Sequence, residues 1–229
     1  MKRLSLGRAV LVALLAGLCL SHAPAAEGEG KAERIALPKA RRSGGMSVEE
    51  TLAQRRSVRR YDARSLTLEE VSQLLWSAQG ITATRGRRTT PSAGALYPIE
   101  MYLAAGRVSG LPAGVYHYLP QEHALERVRT GDVRDDLYAA SLKQPWVKEA
   151  PAVLAISIVP ARTEAKYGPR ARRYVDMEVG CVCQSVHLQC ESLGLGTVAI
   201  GAFDDKTVAG IIGAPPTPRL LMPVGAKVK

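Results

Sequence analysis

Aromatic residues are scarce: 229 residues contain eight Tyr, two Trp and one Phe, 5% in all. That weighs against a surface built to stack nucleobases, which needs several exposed rings. Cysteine is equally thin, at four, which excludes a fold that depends on disulfide stapling. The chain is also too short for a large multidomain machine, though long enough for one domain with a substantial core. At 46% hydrophobic and 23% charged residues its composition is that of an ordinary globular protein, not a disordered or collagenous one.

What is present begins with a basic, then apolar, N-terminus. Lys2, Arg3 and Arg8 precede twelve uncharged residues, Ala9 to Leu20, a run that suits a signal-peptide core and is too short to span a bilayer. Ala23-Pro24-Ala25 supplies the small residues of a cleavage site, so residues 1–25 read as a signal peptide, with cleavage after Ala25 or Ala26, and the mature protein as periplasmic or secreted. Leu18 stands where a lipidated cysteine needs a small neighbour, so Cys19 reads as part of the apolar run. Removing those three cations lowers the formal charge from +10 to +7, still basic.

Residues 26–45, rich in Gly and mixed in charge, read as a flexible linker, and 46–229 as the folded domain. Ser47-Val-Glu-Glu and Thr67-Leu-Glu-Glu are capping boxes that open helices through Gln54 and Gln79, the second closed by Gly80. Ile99 to Ala105, Gly114 to Leu119 and Leu125 to Val128 read as strands; the continuous apolar run Ala152 to Val159 suits a central strand covered on both faces. A long helix runs from Arg172 to Leu193 before Gly194, and short strands at Thr197–Ile200 and Leu220–Val224 close the fold. Without strict β-α-β alternation the expected class is α+β. Cys183, His187 and Cys190 fall at i, i+4 and i+7 of the long helix; free cysteines on such an apolar face read as core, so no metal is expected.

Three segments carry chemistry. Arg55-Arg56-Ser57-Val58-Arg59-Arg60 sets four guanidiniums and a hydroxyl within six residues. Such forks match phosphate oxygens, although a solvated basic turn has the same composition, and nucleic acid is disfavoured by the absence of neighbouring rings. Pro91-Ser92-Ala93-Gly94-Ala95 lets a flat ligand approach the backbone. Gly194 to Asp205 is a glycine-flanked strand before an acidic helix start, without the spacing of a Rossmann fingerprint or a P-loop.

Together RRSVRRYD, PSAGALYP, KYGPRARRYVDMEVG and GLGTVAIGAFDD resemble the FMN-dependent nitroreductase family, in its SagB/ThcOx-type dehydrogenase branch. The resemblance implies a central antiparallel sheet flanked by helices and an intertwined homodimer with FMN at each interface. It implies that Arg55, Arg56, Ser57 and Arg59 hold the phosphate and the pyrimidine edge. Pro91, Ser92, Ala93, Gly94 and Ala95 would lie along the ring from the neighbouring subunit, Ile200 and Gly201 would present backbone near N5, and Lys227 would reach the phosphate. Lys166 and Tyr167 stand where the azoline-oxidising relatives place a proton-handling pair. Departures are Cys181 and Ser185, where the family often has His and Asn. The implied activity is hydride transfer through flavin N5 to or from a small-molecule or peptide substrate. The alternatives are an NAD(P)H-dependent nitro or quinone reductase and a non-catalytic flavin-binding scaffold.

Overall fold

The computed structural model describes residues 33–213 and 217–228; the segment read as a signal peptide, residues 26–32 and Lys229 lie outside the described residues. In chain order the strands are β1 (Arg34–Ala36), β2 (Ile81–Ala83), β3 (Arg87–Arg88), β4 (Ile99–Ala105), β5 (Gly114–Leu119), β6 (Ala124–Thr130), β7 (Ala152–Ile158), β8 (Leu195–Thr197) and β9 (Thr217–Ala226). The helices are α1 (Val48–Gln54), α2 (Leu68–Gln79), α3 (Arg134–Ala140), α4 (Pro145–Glu149), α5 (Ala161–Tyr167), α6 (Ala171–Ser192) and α7 (Asp205–Ile212). Seven strands form one antiparallel sheet in the order β1-β6-β5-β4-β7-β9-β8, and β2 and β3 form a separate hairpin. The class is α+β, as expected.

Both faces of the sheet are covered, which explains the unbroken apolar run of β7. Its alternate residues Leu154 and Ile156 join one core with Val71, Leu74 and Leu75 of α2 and Val175, Val179, Val182 and Val186 of α6. Val153 and Ala155 join the other, with Leu137 of α3, Val147 of α4 and Val208 of α7. The period-2 alternation of strand side chains thus feeds two layers at once. Aliphatic side chains do most of this filling, so few rings are needed.

Local signals fixed the first helices. Ser47 and Thr67 each accept the N–H of the glutamate three residues on, while Glu50 and Glu70 accept the N–H of their cap residue. The expected linker, by contrast, needs correction over residues 33–45. β1 pairs with β6, Leu37 N–H donates to the His123 carbonyl at 3.0 Å, and Arg41 exchanges hydrogen bonds with the Gln73 amide. Arg34 reaches Glu122 and Glu126, so Arg34–Ala36 is an edge strand clipped by side chains. Its composition hid it because three residues carry no periodicity.

Leu154 lies on the central strand with both neighbouring strands paired to it. Leu154→Ala should lower unfolding free energy by about 2–5 kcal/mol. Urea denaturation checks this, with the midpoint falling and the slope unchanged.

Candidate functional site

One helix organises the candidate site. α6 buries Glu178, His187 and Glu191 among its valines, and the two carboxyl groups meet different segments of the chain. Buried carboxylates are costly unless they receive hydrogen bonds or a counter-charge, so these contacts fix what lies against the helix.

At Glu178 the partner is the small-residue loop. Ala93 N–H donates to Glu178 Oε1 at 2.8 Å, and Tyr97 N–H donates to Ser92 Oγ at 2.8 Å. Gly94, Ala95 and Tyr97 all have left-handed φ values, of 61°, 56° and 48°. For Ala95 and Tyr97 this is a strained backbone, held by its surroundings. Gly94 has a further reason to lack a side chain: a Cβ there would stand 2.9 Å from Tyr167 Oη and 3.1 Å from Lys166 Nζ. The loop and the Lys-Tyr pair, far apart in sequence, therefore meet within one chain. Tyr167 packs edge-on against Tyr174 of α6, with ring centroids 5.0 Å apart. Arg162, one turn before Lys166, donates to the Tyr97 carbonyl at 2.9 Å and pairs with Glu100 on β4. Burial pushes the Glu100 carboxyl up, but hydrogen bonds from His117 and Arg162 outweigh it and hold the group below its ordinary range.

At the other end of α6 lies the arginine segment. It runs as an extended strip beside β8 and the end of β9: Ser57 bridges Thr197, Val58 N–H donates to the Thr197 carbonyl at 2.9 Å, and Tyr61 bridges Lys227. Gly196 and Gly225 allow this approach, since a Cβ at either would overlap Val58 or Tyr61. Tyr61 Oη shares its one proton between the carbonyls of Val58, at 3.0 Å, and Pro223, at 3.1 Å, pinning the strip. Arg56, Arg59, Arg60 and Lys227 consequently line one cavity of about 360 Å³. The Arg59 guanidinium lies 5.4 Å over the Trp146 ring.

Several expected residues sit differently. Arg55 is outside the cavity; its charge acts on Cys183 and His187, lowering the His187 pKa together with burial, which is the larger cause. Arg60 takes a place in the cavity that the resemblance did not assign. Ile200 is buried, and its N–H donates to the Leu221 carbonyl and its carbonyl accepts from the Leu221 N–H, both at 2.9 Å, so its one N–H is already engaged. Gly201 is exposed and lines a larger concavity of about 860 Å³ with Leu142, Phe203 and Ile211. Lys227 carries an ion pair to Glu191. Cys181 and Ser185 are half-buried on α6, and Cys190 is fully buried, where burial drives its thiol pKa up. Among the described residues no group of three or more His, Cys, Asp or Glu gathers as a metal site, and no helix is long and apolar enough to cross a membrane. Glu178 and Glu191 were missed; the available signal was an acidic residue beside the valine stripe of a buried helix.

The fold and site define an α+β scaffold, a sheet with helices on both faces, that brings a cationic cavity and a lysine-tyrosine pair to one long helix. The nitroreductase family profile matches residues 52–226, and the chain belongs to that family of oxidoreductases. It is 46% identical over 184 residues to a Methanocaldococcus jannaschii protein assigned to the nitroreductases, covering 80% of this chain and 93% of that one. It is 31% identical over 159 residues to the microcin B17-processing protein McbC of Escherichia coli, covering 65% of this chain and 57% of that one, which supports the SagB/ThcOx-type branch. A solved nitroreductase-type structure from Ralstonia eutropha superposes with a TM-score of 0.76 at 30% identity, over 86% of this chain and 90% of that one.

Burial, offset in part by the Ala93 N–H, raises the Glu178 pKa above its ordinary value. The fold therefore favours the protonated acid, and the stability this contributes is full below the unfolded pKa of about 4.3 and lost as pH rises through the folded value. Glu178→Gln keeps an acceptor for Ala93, and its thermal midpoint should gain on wild type as pH rises from about 4.3 through the folded value. Midpoints of both proteins across that range check this; a constant difference would contradict it.

Proposed function

We propose that this chain is an exported FMN-dependent oxidoreductase of the SagB/ThcOx type, acting as an intertwined homodimer on a small-molecule or peptide substrate. The observation that carries the reading is the single cavity shared by Arg56, Arg59, Arg60 and Lys227, at the far end of α6 from the Gly94 loop. Four cationic side chains drawn from two chain segments fit a phosphate ester, whose oxygens accept several charge-assisted hydrogen bonds. The loop, contributed by the second copy, fits a flat ring, since Gly94 is exposed and Ala93 and Ala95 present only methyls.

FMN, when bound, supplies hydride chemistry at its N5. The chain's own contribution is binding and proton handling. Lys166 Nζ and Tyr167 Oη, both packed beside Gly94, are the groups placed to give or take a proton beside a substrate. Tyr174 and Arg162 hold them there through packing and through α5. Residues with exposed apolar side chains, Val48 (62%) and Leu52 (52%) on α1 and Met177 (55%) on α6, support cover by a second copy. The processing role in McbC's name supports a peptide substrate. The higher identity to a nitroreductase-type protein favours the second reading, an NAD(P)H-dependent reductase of nitro compounds or quinones.

Purified protein incubated with FMN should turn yellow, retain the flavin through gel filtration and elute as a dimer. Colourless protein that fails to retain added FMN overturns the reading. Arg59→Ala should weaken FMN about tenfold or more, by fluorescence titration, while leaving riboflavin, which lacks the phosphate, unchanged. Anaerobic reduction by NADH or NADPH, followed by reoxidation with a nitroarene or quinone, separates the second reading from the first.

Export is tested independently. Protein recovered from the periplasm or medium should begin at Ala26 or Glu27 by N-terminal sequencing. Recovery of the uncleaved chain in the cytoplasm alone would exclude it.

A further inference from the structure

Glu191 occupies an unfavourable place. It lies in the last turn of the 22-residue helix α6, where the carbonyl end of the helix repels a negative charge, and its side chain is only 2% exposed. A carboxylate there is tolerated only with compensation. Two groups supply it. Lys227, after β9, brings its ammonium to Glu191 Oε2, and the Arg56 main-chain N–H points at Oε1, a long contact of 3.4 Å. The Lys227 side chain remains 34% exposed, so one side is engaged by Glu191 while the cavity stays within its reach.

These contacts join three segments distant in sequence: the end of α6, the arginine strip and the stretch after β9. The strip has further ties to the same strands through Ser57–Thr197, Tyr61–Lys227 and the Asp62 N–H, which donates to the Ala226 carbonyl at 2.9 Å. Glu191 differs from those main-chain ties in making its contacts through a charged side chain, which touches both a cavity cation and the main chain of another cavity residue.

We propose that Glu191 is the positioning residue of the anion cavity: its buried carboxylate fixes Lys227 and the Arg56 main chain so that cations from two separate segments face a single phosphate. The proposal rests on the reading of that cavity as the FMN phosphate site. It differs from a simple electrostatic view in the sign of its consequence. A carboxylate that merely neutralised Lys227 would oppose the anion, and its removal would tighten binding. A positioning carboxylate holds a long, flexible lysine in one arrangement, and its removal releases that side chain.

The test compares FMN with riboflavin by fluorescence titration, for wild type, Glu191→Gln, Lys227→Gln and the double variant. Glutamine keeps the shape of Glu191 and an acceptor for the Arg56 N–H. Glu191→Gln should weaken FMN by about tenfold and leave riboflavin unchanged; Lys227→Gln, at a more exposed residue, should do the same. In the double-variant cycle the Glu191 substitution should add little once Lys227 is gone, because it acts through that lysine. Tighter or unaltered FMN binding by Glu191→Gln overturns the proposal. Equal loss of both ligands overturns it in favour of a folding role, and an undiminished effect in the Lys227→Gln background shows that Lys227 is not the route. Wild type that binds riboflavin as well as FMN would refute the phosphate reading itself, a failure visible without any variant.

Discussion

The site depends on the burial of two carboxylates along α6. Glu178 and Glu191 are thirteen residues apart, about 20 Å along the axis at the usual helical rise. Neither can be buried against the sheet without partners. The partners are supplied by segments with little secondary structure of their own, the 91–95 loop and the 55–61 strip. The free energy that drives α6 into the core, through Val175, Val179, Val182 and Val186, thereby also orders the segments that carry the chemistry. A strained loop with Ala95 and Tyr97 in the left-handed region persists for the same reason: the Glu178 acceptor and the Ser92 hydroxyl hold it against its own preference.

Local signals in the sequence were legible where the stabilising bond is local. Both capping boxes are closed within four residues, and the helix from Leu68 to Gln79 and strands Ile99–Ala105 and Gly114–Leu119 stand where the pattern put them. The apolar run of β7 announced cover on both faces because continuous hydrophobicity has no other use in a strand of that length. β1 was missed because its evidence is a partner strand some ninety residues away. Helices α3, α4 and α5 were missed for a related reason: none has a side-chain N-cap, and α3 and α4 are held by the core they cover.

The candidate site divides along the same line. Residue types were readable, since arginine forks and a run of small residues announce themselves by composition. Which of the four arginines face one cavity was not, because the answer lies in the bridges Ser57–Thr197 and Tyr61–Lys227. Nor could a resemblance reveal that the Ile200 backbone is already bonded to Leu221, since that pairing is a property of where β9 passes. The meeting of Lys166 and Tyr167 with Gly94 is likewise a product of chain path, and the glycine is intelligible only once the Oη and Nζ atoms beside it are known.

The scarcity of rings takes on a meaning beside the excess of arginine. Aliphatic side chains do most of the filling of both cores, joined by Tyr102, Tyr116 and Tyr118, and several of the few aromatics sit under cations: Trp146 beneath Arg59, Tyr97 beneath Arg88, Tyr116 beneath Arg127, Tyr138 beneath Lys148 and Tyr167 beneath Lys166. A ring under a guanidinium restrains it without neutralising it, whereas a carboxylate does both. At Arg34, Arg64 and Arg134 the restraint is a carboxylate, and those arginines serve the fold. At Arg59 it is Trp146, so the charge stays uncancelled at the mouth of the cavity. Lys227 combines the two, held by an acid on one side and open on the other, which is the arrangement that makes the sign of the Glu191 effect informative.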